Sequence, residues 1–161
     1  MLFRRIAVAA CAPALLLLPV PPAMAASGHI TDPSGELPDI LRLNYSNAQG
    51  KVVMTLKFAS VEDAQNRGFW IQWGEPQKYQ VFDSPSAAIS ELRFHRANGT
   101  FAKVACTGLN VTEDATTNTV KAVVPRSCLP KAPNQVRFKG IATMGLTEKD
   151  ETKVSPLMKR G

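Results

Sequence analysis

The octapeptide Lys51-Val52-Val53-Met54-Thr55-Leu56-Lys57-Phe58 carries the clearest strand signal in this chain. Its even-numbered residues are all large and apolar, whereas its odd-numbered residues are mostly polar. Successive side chains of a β-strand point to opposite faces of the sheet, so this alternation places one face in a core and the other in solvent. The segment therefore predicts a half-buried strand.

Similar short runs recur on both sides of this strand, separated by turn-forming residues, with no amphipathic helix of useful length between them. In the run nearest the start, Leu41, Leu43 and Tyr45 are expected to share the core face. About eight such strands predict an all-β fold, a single antiparallel β-sandwich of jelly-roll or immunoglobulin-like type, within residues 39–146. The other runs lie at 69–73, 78–83, 92–96, 100–106, 108–112, 119–124 and 136–144.

The turn at residues 97–99 allows the register of one hairpin to be predicted. A two-residue Asn-Gly loop would mix core and solvent residues on both faces. A three-residue loop instead pairs Leu92 with Val104 and Phe94 with Ala102, leaving an Arg-Lys pair outside. We therefore expect the three-residue loop.

The first 25 residues have the features of a cleaved signal peptide. Arg4 and Arg5 precede a proline-interrupted apolar run at 6–20, which is too short to cross a bilayer. Ala23-Met24-Ala25 then supplies the small-x-small pattern for cleavage before Ala26. A secreted or extracytoplasmic protein without a membrane span after cleavage is predicted.

Cys106 and Cys128 remain after this cleavage and are predicted to form one disulfide, the usual state of cysteines in an exported chain. Closing the loop between them contributes about 3 kcal/mol on the chain-entropy argument. A redox-active or metal-binding pair would need a Cys-x-x-Cys spacing or further ligands, and the sequence has neither.

Residues at the two ends of the exported chain are expected to lie outside the sandwich. Residues 26–38 are rich in Gly, Pro, Ser and acidic residues and predict a lead-in loop. Residues 147–161 form a polar tail, either frayed or contributing one short edge segment. Within the last predicted strand, Gly140 suggests a bulge or a bend.

Charge argues against nucleic acid as a partner. Removing Arg4 and Arg5 with the signal peptide leaves 17 basic and 13 acidic residues, a net charge of +4. The basic residues are scattered singly along the sequence, whereas nucleic-acid binders concentrate them on one face or helix. An anionic cell envelope remains open as a partner.

Several motifs resemble those of a known protein group. Asp32-Pro33-Ser34-Gly35, Asp39-Ile40, Val124-Pro125-Arg126-Ser127-Cys128-Leu129 and Val136-Arg137 resemble segments of small exported bacterial β-sandwich proteins without assigned activity. The Asp-Ile opening is also similar to the start of family 9 carbohydrate-binding-module and DOMON-like sandwiches. The first resemblance spans most of the exported chain and implies a sandwich fold. The second covers only the opening strand, and glycan binding is what it implies.

No catalytic constellation is evident, so we expect a protein that is not an enzyme. The histidines are His29 and His95 only, and a hydrolase would need a pocket joining His95 to a carboxylate. His95 is predicted on the outer face of its hairpin, where Arg93 and Arg96 should lower its pKa. If cleavage followed Ala26 instead, His29 would stand third after a free amine, an arrangement that suits Cu(II).

Three acidic residues in the lead-in form the candidate metal site. Asp32, Glu36 and Asp39 offer the oxygen ligands that calcium prefers, and Asp150 would join them if the two ends of the chain lie side by side. The alternative is that these acids are solvated around turns. No other cofactor is predicted.

The candidate ligand-binding residues are Trp70, Gln72 and Tyr79, because an exposed aromatic face can lie against a sugar ring. Alternation places Trp73 in the core with Phe69 and Ile71, and Trp70 on the other face with Gln72. Burial of Trp70 beneath a loop is the alternative.

The sequence thus predicts an exported, non-catalytic β-sandwich that binds a polysaccharide or another cell-envelope component. A structural or protein-interaction domain, antigen-like or inhibitor-like, is the second hypothesis, and a hydrolase is the third. The sequence has no ligand signature that decides between them.

Mass spectrometry of the intact exported protein tests both processing predictions. The chain should begin at Ala26, and reductant should add the mass of two hydrogen atoms as the single disulfide opens. A mass that includes residues 1–25 would contradict the signal peptide. An unchanged mass in reductant would contradict the bridge.

Overall fold

The structure is a computed structural model that describes residues 25–33, 35–74 and 76–161. The predicted signal peptide, apart from Ala25, lies outside the described residues, as do Ser34 and Glu75.

The described chain forms twelve strands and two single-turn 3-10 helices, Pro85–Ala87 and Arg126–Cys128. In chain order the strands are β1 (Ala26–Thr31), β2 (Ile40–Asn47), β3 (Lys51–Phe58), β4 (Asn66–Gln72), β5 (Lys78–Ser84), β6 (Ile89–His95), β7 (Phe101–Val104), β8 (Asn110–Asp114), β9 (Thr119–Pro125), β10 (Gln135–Met144), β11 (Glu148–Glu151) and β12 (Met158–Lys159).

These strands build two antiparallel sheets that pack face to face, which confirms the predicted sandwich. The first sheet has the order β1-β2-β3-β9-β8. The second sheet has the order β11-β10-β4-β5-β6-β7, and β12 also pairs with β10. The alternation of β3 is confirmed as well, since its four even-numbered side chains are completely buried between the sheets.

One predicted core residue lies outside the core. Leu41 is 39% exposed, whereas Ile40 and Leu43 are fully buried. The reason is a register shift between Ile40 and Arg42 where β2 pairs with β3. An extra residue in one strand breaks the alternation locally, so Ile40 takes the place that the sequence predicts for Leu41.

The predicted hairpin register is confirmed. Leu92 pairs with Val104 and Phe94 with Ala102, so the three-residue loop is present. Gly99 adopts a left-handed conformation with φ of 79°, which a residue without a Cβ accommodates at little cost.

Both ends of the described chain contribute more structure than predicted. Residues 26–38 are not all loop, because Ala26–Thr31 forms β1 at the edge of the first sheet. The tail forms β11 and β12, and between them it continues along β10 through hydroxyl groups. Thr152 Oγ1 accepts a hydrogen bond from Gly140 N at 3.0 Å, and Ser155 Oγ accepts one from Phe138 N at 2.8 Å. Side-chain oxygens here replace backbone acceptors, which a strand pattern does not reveal.

An ion cluster around the buried Arg67 joins the two sheets near one end. Arg67 of β4 is 4% exposed and lies 3.2 Å from Asp83 of β5 and 2.6 Å from Glu113 of β8. Its guanidinium also donates to the carbonyls of Val61 and Ala64. These partners compensate the desolvation of the charge, which alone would be costly.

The predicted disulfide between Cys106 and Cys128 is confirmed. Cys106 follows β7, the edge strand of the second sheet, and Cys128 lies in the 3-10 turn that follows β9 of the first sheet. The bridge therefore ties the two sheets to each other.

Gly140 does not mark a bulge, since the pairing of β10 with β4 runs without a shift from Arg137 to Thr143. Its role is spatial. A Cβ at this position would collide with Cδ2 of Leu56 in the facing sheet. The missing side chain thus allows the sheets to approach closely.

Gly140→Ala should lower the free energy of unfolding by about 1–3 kcal/mol, the usual cost of overpacking a core. The cost should be smaller in a Leu56→Val background, because valine has no Cδ atoms to meet the new methyl group. Denaturant unfolding of the four proteins in this double-mutant cycle measures the difference. Equal costs in both backgrounds would contradict the steric explanation.

Candidate functional site

The outer face of the second sheet combines aromatic, basic and amide side chains. One row across β10, β4, β5, β6 and β7 contains Lys139, Trp70, Gln80, Arg93 and Lys103. The next row contains Arg137, Gln72, Lys78, His95 and Phe101. We call the outward-pointing residues of β11, β10, β4, β5, β6 and β7 the basic-aromatic face.

Trp70 lies in the middle of this face and is half-buried. The Lys78 ammonium is 3.6 Å from the centroid of the indole ring, and the His95 ring stacks on the indole with centroids 5.3 Å apart. The indole Nε1 is buried and has no hydrogen-bond partner among the described residues. A Cβ on Gly68 would lie 3.1 Å from that nitrogen, so the bare backbone of Gly68 makes room for the ring.

Arg93 holds the other aromatic residues of the face together. Its guanidinium carbon lies 3.8 Å from the ring centroid of Phe82 and 4.7 Å from that of Phe101, and its Nε donates to Glu91 at 2.6 Å. Lys103 Nζ lies 2.9 Å from the same carboxylate. Hydrogen bonds keep the pKa of Glu91 below its ordinary value, and the bond from Lys103 has a larger effect than the bond from Arg93.

The ring of His95 lies between Trp70 and the aromatic residues around Arg93. Its Nε2 is 2.8 Å from Oε1 of Gln80, and because an amide oxygen only accepts, Nε2 carries the proton. Burial lowers the pKa of His95 most, followed by the charges of Lys78 and Arg93. The predicted lowering of the His95 pKa is confirmed. Burial is its main cause, however, and the second cation that contributes is Lys78, not Arg96.

The structure separates Tyr79 from the other predicted ligand residues. Trp70 and Gln72 share the outer face, whereas Tyr79 is 2% exposed and packs inside against Trp73 and Phe94. Tyr79 pairs with Ile71, so the alternation that places Ile71 in the core also places Tyr79 there. This burial raises the pKa of the Tyr79 hydroxyl.

The basic residues that are scattered in sequence gather on this face. After residue 25 the chain has 17 basic and 13 acidic residues, and this face holds six of the basic and two of the acidic ones. The rest of the exported chain therefore has eleven basic and eleven acidic residues, whose charges cancel. The net charge of +4 therefore belongs to one face, so the scatter of basic residues along the sequence does not argue against nucleic acid as a partner. The six are Lys78, Arg93, Lys103, Arg137, Lys139 and Lys149, and the two are Glu91 and Glu151.

Two hollows flank Trp70 along β4. On one side is a cavity of about 180 Å³ lined by Asn66, Arg67, Gly68, Gln80, Phe82, Ile141 and Thr143. On the other side is a cavity of about 360 Å³ with Gln72, Trp73, Lys78 and Arg137 among its lining residues. Both cavities have amide side chains in their lining, Gln72 in the larger and Asn66 and Gln80 in the smaller.

The predicted calcium residues do not assemble into a visible ligand set. Within the described ranges, no group of three or more His, Cys, Asp or Glu side chains is arranged to hold a metal ion. Asp150 does lie beside the start of β2, but its Oδ2 accepts a hydrogen bond from Ile40 N at 2.6 Å. Asp39 Oδ1 is buried without a partner among these residues. Calcium binding stays a prediction.

The candidate copper ligand His29 is exposed on β1, in register with Asn44. It lies in the first sheet and so takes no part in the basic-aromatic face.

Comparison with known proteins adds no family to this description. No protein-family model matches the chain, and no curated protein matches it significantly. Across the part of the chain that is described, no helix is both long and apolar enough to span a bilayer.

The electrostatics of His95 generate a pH prediction. Its pKa in the folded protein lies below the ordinary value of 6.5, so the unfolded chain binds the proton first as pH falls. The free energy of unfolding should therefore decrease as pH drops through about 6.5, and His95→Gln should reduce this slope.

Removing a neighbouring positive charge should raise the pKa of His95. Lys78→Gln should raise it, because a neighbouring cation is lost, whereas Lys51→Gln on the first sheet should leave it unchanged. NMR titration of the His95 ring protons measures both variants. An unaltered pKa in Lys78→Gln would contradict the assigned cause.

Proposed function

We propose that this protein is an exported, non-catalytic β-sandwich that binds an anionic polysaccharide of the cell envelope through the basic-aromatic face. The observation that carries the proposal is the concentration of the whole net charge of residues 26–161 on the one face that also presents Trp70, His95 and Phe101. A surface of this kind attracts a polyanion and offers rings for its sugars.

The dimensions of the face favour a polymer over a small molecule. Neighbouring strands lie about 4.8 Å apart, so the row from Lys139 to Lys103 extends over roughly 19 Å. Basic side chains stand at both ends of this row, and Arg93 lies next to Lys103. An extended chain with repeated negative groups can meet several of them at once.

The covering of Trp70 is compatible with this role. Lys78 lies over the indole, but a cation–π contact at an exposed site contributes only about 0.5–1 kcal/mol. A sugar ring can replace the flexible lysine side chain on the indole, while the ammonium turns to a carboxylate of the same polymer. Gln72 and Gln80 lie beside Trp70 and supply amide groups for hydroxyls.

Calorimetry with alginate, an anionic polymer, and dextran, a neutral one, tests the proposal. Alginate should bind and dextran should bind far more weakly, and the alginate affinity should fall as salt screens the charges. Lys78→Gln/Lys103→Gln should weaken alginate binding by about tenfold, since each exposed charge contributes up to about 1 kcal/mol. Trp70→Ala should weaken it as well.

The matched control is Lys51→Gln/Lys121→Gln, which removes the same charge from the opposite sheet. This variant should bind alginate as the unaltered protein does. Equal losses in the two double variants would mean that net charge alone attracts the polymer. Absence of heat with both alginate and isolated cell-wall polysaccharide would reject the proposal.

A further inference from the structure

A second cluster of cations lies at the end of the sandwich where β2 turns into β3. It consists of Arg126, Lys159 and Arg160 together with the amides of Gln49 and Asn134. A cavity of about 300 Å³ is lined by Gln49, Asn134, Lys159 and Arg160. Arg126 borders the same turn, because its Nε donates to the carbonyl of Ala48.

Backbone hydrogen bonds fix the residues of this cluster in place. Arg126 N donates to Gly50 O at 3.0 Å, and Arg160 N donates to Asn134 O at 2.6 Å. The Arg160 guanidinium also donates to the side-chain oxygen of Asn134. Lys159 pairs with Gln135 where β12 meets β10. The cations are therefore held by the fold and not by contact with acidic groups.

Side-chain carboxylates do not neutralise this cluster in the part of the chain that the structure describes. Among the described residues, no salt bridge connects Arg126, Lys159 or Arg160 to a carboxylate. Arg126 Nη2 is buried and has no hydrogen-bond partner in that part of the chain. Burial and, next, the charge of Arg160 lower the pKa of Arg126. The charge of Arg160 is thus felt at Arg126, although Arg126 itself does not line the cavity.

A bound anion would stabilise such an arrangement. A buried donor without a partner destabilises the folded protein, and two uncompensated like charges destabilise it further. Arginine presents a planar fork of donors that matches the oxygens of phosphate or sulfate, and such bonds are strong because both partners are charged. A tetrahedral group in the cavity meets Arg160, Lys159 and the amide of Gln49, and Arg126 lies at the bordering turn.

We propose that Arg126, Arg160 and Lys159, with Gln49, form a binding site for a tetrahedral oxyanion, the phosphoryl or sulfate group of a ligand. The site does not depend on the basic-aromatic face. It rests on the unpartnered Arg126 Nη2 and on the cations gathered around the open cavity.

Titration of the full chain with inorganic phosphate and with sulfate tests the site at constant ionic strength, balanced with chloride. The Nε–H resonances of Arg126 and Arg160 should shift in NMR spectra, and the shifts should saturate. Arg160→Gln should weaken phosphate binding at least about tenfold, since hydrogen bonds to charged groups are strong. Arg126→Lys, which keeps the charge and loses the fork, should also weaken it.

The matched control is Arg42→Gln. Arg42 is an exposed arginine on β2 that does not line this cavity. The variant should bind phosphate normally, and so should Lys78→Gln/Lys103→Gln, which separates this site from the polysaccharide surface. Glycerol phosphate provides a second probe. Tighter binding of the ester than of free phosphate would assign a phosphorylated ligand, and tighter binding of the free ion would assign the ion itself.

Shifts that grow linearly with phosphate and never saturate would overturn the proposal. Equal phosphate affinity in Arg160→Gln and the unaltered protein would do the same. Arg160→Gln keeps the backbone bond to Asn134, so a folded variant is expected for this comparison.

Discussion

Burial of Phe69 and Ile71 determines where Trp70 points. Both side chains are fully enclosed between the sheets, and each contributes roughly 1.5–3 kcal/mol relative to exposure. Because side chains alternate along a strand, this burial sends Gly68, Trp70 and Gln72 to the opposite face. A shift of one residue would exchange the two sets, so the stability of the core maintains the basic-aromatic face.

The sequence predicts the local elements well because their signals are local. The alternation of Lys51–Phe58, the hairpin register around Gly99 and the sandwich itself are confirmed. Predictions fail where tertiary contacts override the pattern. A bulge displaces Leu41, and the hydroxyls of Thr152 and Ser155 continue a sheet edge that no strand pattern marks. The sequence also does not reveal the positive charge of the second sheet, because its basic residues come from strands far apart in sequence.

The two cationic surfaces differ in how their charges are compensated. On the basic-aromatic face, rings and two carboxylates surround the cations, as Glu91 does for Arg93 and Lys103. At the end of the sandwich, Arg126 and Arg160 have carbonyl and amide oxygens as partners. Oxygens of that kind accept hydrogen bonds but carry no net charge to neutralise a guanidinium. Carboxylates therefore offset part of the positive charge on the first surface, whereas no side-chain carboxylate among the described residues is paired with Arg126 or Arg160 at the second.

The way in which residues 148–161 follow β10 also affects solubility. An exposed strand edge offers unpaired backbone groups to other chains and promotes aggregation. β10 would present such an edge, but β11, Thr152, Ser155 and β12 occupy its hydrogen-bonding groups one after another. The opposite edge of this sheet is β7, which has only four residues and carries Lys103. Because β11, the strand at the other edge, also has only four residues and is charged, the second sheet offers little template for intermolecular strand addition.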